Sequence, residues 1–167
     1  MRTLQAPLKE RYRAEPDAAV ITLSATGDLD EGVSCSVQTS RAIAQAGLHP
    51  ATGGDGSLLC SGDMLLEALV ACAGVTLRAV STSLGVSVST GRVRAEGDLD
   101  FRGTLGVDRD APVGFSAIRL SFELETDADE QQLATLEKLT ERYCVVYQTI
   151  AGGAALSTSV RAVSPSG

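Results

Sequence analysis

A long apolar segment around a single cysteine constrains the fold of this chain more than any other feature. Residues 61–85 place Cys72 among leucines, alanines and valines, and nearly every side of the resulting helix is apolar. That pattern is typical of a helix inside a protein rather than on its surface. Ser61 or Asp63 can cap its start, and Gly85 can end it. We therefore expect a buried central helix that carries Cys72.

Charge and composition limit where such a helix can lie. Glu67 and Arg78 leave only residues 68–77 uncharged and mostly apolar, whereas a membrane-spanning helix needs about 20 residues. Residues 1–7 contain no apolar stretch of the kind that marks a secretion signal. The net charge of -7 and the aromatic content of 4% oppose nucleic-acid binding. We expect a soluble cytoplasmic protein with reduced thiols, no membrane partner and no nucleic-acid partner.

Alternating apolar and polar residues predict strands on both sides of the central helix. The predicted strands are residues 18–25, 32–39, 86–101 and 115–125, with a turn at 26–31 and a bend at 103–106. In the third strand, one face is expected to carry Val93, Ala95, Gly97, Leu99 and Phe101. The glycine-rich loop 49–56 lacks the Lys-Ser/Thr ending of a phosphate-binding loop and is expected to be a flexible connection.

The C-terminal part of the chain predicts a second helix with Thr126 or Asp127 as its cap. Its inner stripe is expected to consist of Leu133, Leu136, Thr140 and Tyr143. A short apolar segment at 145–150 and a last strand at 156–163 follow. Strands grouped as hairpins around isolated helices indicate an α+β fold with antiparallel sheet. We expect one domain over residues 1–167, with 1–17 as an N-terminal extension and 164–167 as a frayed tail.

The four cysteines are the best candidates for chemistry. They are Cys35, Cys60, Cys72 and Cys144, without C-x-x-C spacing, and His49 is the only histidine, so a structural zinc site is not expected. Cys35 alternates with polar neighbours and is expected to face inward as packing. Cys72 and Cys144 each occupy a distinctive place in a predicted helix. They act either as a redox pair or as small core residues.

Three features resemble the OsmC/Ohr family of thiol-dependent peroxidases. The first is the apolar helix with small residues around Cys72. The second is the segment from Gly97 to Gly103 leading to residues 112–118, which is similar to a hairpin of that family. The third is a helix ending in a second cysteine, Cys144, 72 residues after the first. Together these features cover roughly residues 18–163.

The resemblance implies both a fold and an activity. The fold is an OsmC-like α+β structure whose antiparallel sheets wrap a central buried helix bearing the cysteine, assembled as an intertwined homodimer. The activity is reduction of organic hydroperoxides to alcohols, with Cys72 as the peroxidatic residue and Cys144 as the resolving residue. It proceeds through a sulfenate and an intramolecular disulfide. No cofactor is implied beyond an external thiol or dithiol reductant.

The sequence departs from the family pattern at two places that bear on the thiolate. Well-known members carry a carboxylate ten residues before the peroxidatic cysteine, where it holds an arginine, whereas this chain has Gly62 there. The nearest carboxylate, Asp63, is the candidate for that role, although it could simply cap the helix. The family's second cysteine is usually followed by proline, but Cys144 is followed by Val145. The alternative function is a non-catalytic protein of the same fold that binds an apolar small ligand in the dimer pocket.

Overall fold

The computed structural model describes residues 26–29, 34–38, 43–106 and 108–162. Within these ranges lie six strands, four α-helices and a 3₁₀ turn at Pro50–Thr52. The strands are β1 (Thr26–Leu29), β2 (Ser34–Gln38), β3 (Ile43–Gly47), β4 (Leu59–Cys60), β5 (Val88–Leu99) and β6 (Phe115–Thr126). The helices are α1 (Ser61–Leu84), α2 (Phe101–Thr104), α3 (Glu130–Tyr143) and α4 (Val145–Gly152). This is an α+β fold, as the sequence predicts.

The first sheet has the order β1-β2-β3-β4. Its first three strands pair antiparallel, and β4 pairs parallel to β3 over two residues. Strand β1 falls where the sequence predicts a turn: Gly27 and Asp28 pair with Val37 and Ser36. The turn prediction for 26–29 is therefore wrong, because these residues have a strand beside them to pair with. The predicted strand at 18–25, the extension 1–17, the tail 164–167 and the side chain of Cys35 lie outside the described part.

Strands β5 and β6 form a long antiparallel ladder, from Val88 opposite Thr126 to Leu99 opposite Phe115. Their alternation is confirmed, since the apolar residues of each strand lie on the more buried side. A side chain at Gly97 would come within 2.5 Å of the Phe115 ring, so the close approach of that ring requires glycine. Phe101 is an exception to the predicted strand, because it begins the short helix α2.

Helix α1 has 24 residues and ends as predicted at Gly85, which has a left-handed conformation with φ of 72°. Its N-cap is Cys60, so the prediction of Ser61 or Asp63 as the cap is wrong. One face is buried and carries Leu69, Ala73, Leu77, Val80 and Ser81. That face packs on β5, α3 and α4.

The opposite side of α1 is open in the single chain, so the burial expected on every side is not reached within it. Val75 is 73% exposed and Leu65 is 40% exposed. By length and composition alone, this helix is apolar enough to cross a membrane. An 18-residue window of it has a mean hydropathy of 1.6, and 28% of that window is buried. Within the described chain, therefore, only about one face of α1 is covered by other residues.

Helix α3 begins with a reciprocal capping box. The carboxylate of Asp129 accepts the N–H of Gln132 at 2.8 Å, and the Gln132 side chain accepts the N–H of Asp129 at 2.9 Å. The cap is therefore neither Thr126, the last residue of β6, nor Asp127. The N-cap is the last residue with an extended backbone before the helix begins. Thr126, Asp127 and Asp129 can all accept an N–H, so the sequence alone does not show which of them is the cap.

The inner stripe of α3 is narrower than predicted. Leu136 and Thr140 are 1% and 0% exposed, and Leu136 packs with Leu77 and Val80 of α1. Leu133 and Tyr143, however, are 38% and 60% exposed. They lie toward the two ends of the helix, and the buried contact with α1 is confined to its middle.

Residues 154–162 contain no helix or strand. Leu156 and Val160 are 94% and 95% exposed. The predicted strand at 156–163 is therefore wrong for residues 156–162, because they pair with no strand in the described part of the chain. Alternation marks residues that can form a strand, but an edge to pair with is also needed.

The capping box gives a direct stability prediction. Asp129→Ala should lower the free energy of unfolding by about 1 kcal/mol, because it leaves an N-terminal N–H of α3 without its acceptor. Asp127→Ala is the matched control, and its effect should stay within about 0.5 kcal/mol. Urea denaturation at one protein concentration measures both. Equal effects of the two variants would show that Asp129 is not the cap.

Candidate active site

The structure brings Cys72 and Cys144 together although they are far apart in the sequence. Cys72 lies in the middle of α1 and packs against a buried cluster of Leu69, Ala73 and Cys144. The two thiols are close enough for each to shift the pKa of the other. Cys144 is fully buried, whereas Cys72 retains some exposure. An incoming molecule can therefore reach Cys72 more easily than Cys144.

Cys144 occupies the junction between two helices. It is the C-cap of α3 and the N-cap of α4. Its N–H donates to the carbonyl of Thr140 at 2.9 Å, and its Sγ accepts the N–H of Tyr147 at 3.5 Å. The backbone at Cys144 is extended, with φ of -75° and ψ of 109°, so α4 starts in a new direction. The first amides of α4 lie close enough to Cys72 to lower its pKa.

The pKa of Cys72 lies below that of an ordinary thiol. Burial is the largest single influence and raises it, but four neighbouring hydrogen-bond donors together outweigh burial. In decreasing order, the donors are the N–H of Val146, the thiol of Cys144, the N–H of Val145 and the hydroxyl of Thr76. Cysteine reactivity follows the thiolate, so these neighbours activate Cys72.

The pKa of Cys144 shifts in the opposite direction. Burial raises it most, the N–H of Tyr147 lowers it, and the neighbouring Cys72 raises it further. Cys72 is therefore expected to ionise before Cys144 as the pH rises.

The two α4 amides are the functional groups that the sequence does not reveal. Backbone donors at the start of a helix favour a nearby negative charge, and the helix dipole adds to the effect. Valine at position 145 matters because proline, usual there in the resembling family, has no N–H to donate. The available signal is the apolar segment directly after Cys144, which marks a new helix with Cys144 at its start.

Asp63, the predicted carboxylate, is not brought to the thiols. It lies in the first turn of α1, nine residues before Cys72, which is about 14 Å along a helix. There it lines a separate cavity with Cys60, His49 and Phe101, whose ring stacks on that of His49 at 5.0 Å. Among the residues that the structure describes, no group of three or more His, Cys, Asp or Glu is placed to bind a metal.

The pKa directions predict how alkylation of Cys72 depends on pH. The thiolate reacts, and a lowered pKa keeps Cys72 ionised down to lower pH, so its reaction midpoint should lie below that of an unperturbed cysteine thiol. Val145→Pro should move the midpoint up, because it removes one amide donor at a helix position that accepts proline. Iodoacetamide labelling followed by peptide mass spectrometry measures this, with Val145→Ala as the control. Identical midpoints for the two variants would show that the Val145 amide does not lower the pKa of Cys72.

Comparison with known proteins identifies the class to which this fold and thiol pair belong. Residues 54–159, more than half of the chain, match the family described as OsmC-like protein. The chain therefore belongs to the OsmC-like family, as the sequence resemblance indicates. No curated protein matches the chain.

Solved structures agree on the fold. An OsmC-like protein from Mycoplasma pneumoniae is 17% identical with a TM-score of 0.66, covering 80% of this chain and 89% of that one. An organic hydroperoxide resistance protein OsmC from Legionella pneumophila is 16% identical, with a TM-score of 0.63 and coverage of 80% and 92%. An organic hydroperoxide resistance protein from Elizabethkingia anophelis is 15% identical, with a TM-score of 0.63, and the match covers 81% of this chain and 91% of that one. The OsmC-like α+β fold is thus confirmed.

Proposed function

We propose that this protein is a thiol-dependent peroxidase that reduces organic hydroperoxides to alcohols. The observation that carries the proposal is the packing together of two thiols far apart in the sequence, with the pKa of Cys72 lowered and that of Cys144 raised. Membership of the OsmC-like family supports it, as do the structural relatives named organic hydroperoxide resistance proteins. A merely structural cysteine pair needs no such difference in pKa.

In the first step, the Cys72 thiolate attacks the terminal oxygen of the hydroperoxide. The O–O bond breaks, an S–O bond forms, and the alkoxide leaves and takes up a proton to become the alcohol. Cys72 is now a sulfenic acid. The amides of Val145 and Val146 act before this step, because they hold the sulfur in its nucleophilic form.

In the second step, the Cys144 sulfur attacks the Cys72 sulfur, and the sulfenic oxygen leaves as water with the proton of Cys144. A Cys72–Cys144 disulfide results, which protects Cys72 from further oxidation. An external dithiol then reduces it by thiol–disulfide exchange and becomes a disulfide itself. The burial of Cys144 protects the resolving thiol from the peroxide.

We further propose that the functional unit is a homodimer in a reducing, cytoplasmic compartment. The open side of α1 supports the dimer, since Val75 and Leu65 leave large apolar surface in water. The thiol pair supports a reducing compartment, because each catalytic cycle begins from reduced cysteines.

A turnover assay tests the proposal. Reduced protein, cumene hydroperoxide and excess dithiothreitol should yield one cumyl alcohol for each dithiol oxidised, far faster than without protein. The alternative, a binding protein of the same fold, predicts that the hydroperoxide is bound but not consumed. Consumption no faster than in the protein-free control would reject the peroxidase.

A further inference from the structure

Two side-chain hydrogen bonds join α3 to α4 across the junction at Cys144. The Tyr147 hydroxyl donates to the Glu141 carboxylate at 3.1 Å, and the Gln148 side-chain amide donates to the Glu141 backbone carbonyl at 2.9 Å. Both donors belong to the first turn of α4, and both acceptors belong to the last turn of α3. We call these two hydrogen bonds the Glu141 link.

Tyr147 connects the Glu141 link to the thiols. Its backbone N–H donates to the Cys144 Sγ at 3.5 Å, and its half-buried side chain packs against the same buried cluster as Cys72. Val145 and Val146, whose amides lower the pKa of Cys72, lie between Cys144 and Tyr147 in the chain. The segment that acts on the Cys72 sulfur is therefore held on both sides.

The charge of Glu141 is separate from its role as an acceptor. Among the titratable side chains of the described residues, only Cys144 shifts the pKa of Cys72. The pKa of Tyr147 is raised, by burial first and then by the hydrogen bond to Glu141, so the hydroxyl keeps its proton and remains the donor. Glu141 can therefore influence Cys72 through the residues it holds in place. Strands β5 and β6 pack apolar side chains on the same cluster, namely Val93, Ala95, Ile118, Leu120 and Phe122.

We propose that Glu141, Tyr147 and Gln148 are positioning residues that fix the angle between α3 and α4 and so hold the first amides of α4 beside the Cys72 sulfur. The N–H of Cys144 makes the last backbone bond of α3 and its carbonyl the first of α4, so the two ladders meet at that one residue. The φ and ψ angles of a single residue are soft, and side chains that span it restrict them. The proposal rests on the proposed peroxidase function and names positioning residues for its first step.

The test measures how iodoacetamide labelling of Cys72 depends on pH when the Glu141 link is removed. Tyr147→Phe/Gln148→Ala lacks both donors and should move the labelling midpoint up, because the α4 amides are then held less well beside the thiolate. It should also lower kcat/KM for cumene hydroperoxide about tenfold below the midpoint. Glu141→Gln removes the charge but keeps an oxygen that accepts the Tyr147 hydroxyl, so its midpoint should stay close to that of the wild type. Tyr143→Phe, which loses the hydroxyl of an exposed tyrosine on α3, is the control.

Labelling and turnover separate this inference from the function beneath it. An unchanged midpoint in the double variant, shown to be folded by urea denaturation, would overturn the positioning role. An equal upward shift for Glu141→Gln would also overturn it, since the charge and not the hydrogen bonds would then act on Cys72. If the double variant does not fold, Tyr147→Phe alone decides by the same criterion, with a smaller upward shift expected. A shifted midpoint in a protein that consumes no peroxide would support the positioning role and reject the peroxidase.

Discussion

Cys72→Ser should reduce kcat/KM for cumene hydroperoxide by roughly three orders of magnitude or more. Serine preserves the shape of the site, but its hydroxyl does not ionise near neutral pH and attacks peroxide oxygen poorly. The α4 amides that lower the Cys72 pKa would then face a neutral group. Peroxide consumption with dithiothreitol as reductant measures the loss.

Two further cysteine variants test whether the loss of activity is specific to Cys72. Cys60→Ser should keep wild-type turnover, because Cys60 lies at the start of α1 and serine is a good N-cap. Without reductant, Cys144→Ser should consume one peroxide per chain to form the Cys72 sulfenic acid, and excess peroxide should consume a second one and carry Cys72 to sulfinic acid. Full turnover by Cys72→Ser, or none by Cys60→Ser, would contradict the assignment.

Leu136→Ala should lower the free energy of unfolding by about 2–5 kcal/mol. Leu136 is 1% exposed and packs with Leu77 and Val80, so its truncation leaves a cavity where α3 meets α1. Urea denaturation at one protein concentration measures the effect, because a dimer's apparent stability depends on concentration.

Leu133→Ala is the matched control for this prediction. Leu133 lies one turn earlier on α3 and is 38% exposed, so its truncation should cost clearly less. Similar losses for the two variants would mean that Leu133 is covered by a second copy of the chain. A small loss for Leu136→Ala would contradict its place in the core.

The sequence predicts the elements whose side chains repeat in a regular pattern. Helix α1 and the β5–β6 ladder lie within a few residues of their predicted limits, because apolar periodicity reports which face is buried. Residues Thr26–Leu29 and 156–162 are predicted less well, since strand formation depends on the neighbour each segment finds. The open side of α1 is a similar case: apolarity shows that a face must be covered but not whether the same chain covers it.

The candidate site is likewise predicted only in part. The resemblance pairs Cys72 with Cys144, and the structure places their thiols next to each other. The groups that lower the Cys72 pKa include backbone amides of Val145 and Val146, and any non-proline residue could supply them. Their role comes from the direction of α4 after Cys144, which is a property of the folded chain. A charged side chain is easier to find in a sequence, but the one predicted, Asp63, lies in the first turn of α1, away from the thiols.

The most direct test is to map the disulfide after one equivalent of peroxide. Reduced protein is treated with stoichiometric cumene hydroperoxide, remaining thiols are alkylated, and peptides are analysed by mass spectrometry without reduction. The peroxidase mechanism predicts an intramolecular link between Cys72 and Cys144 and loss of two hydrogens from the intact chain. Unchanged thiols, or a link that omits Cys72, would contradict it.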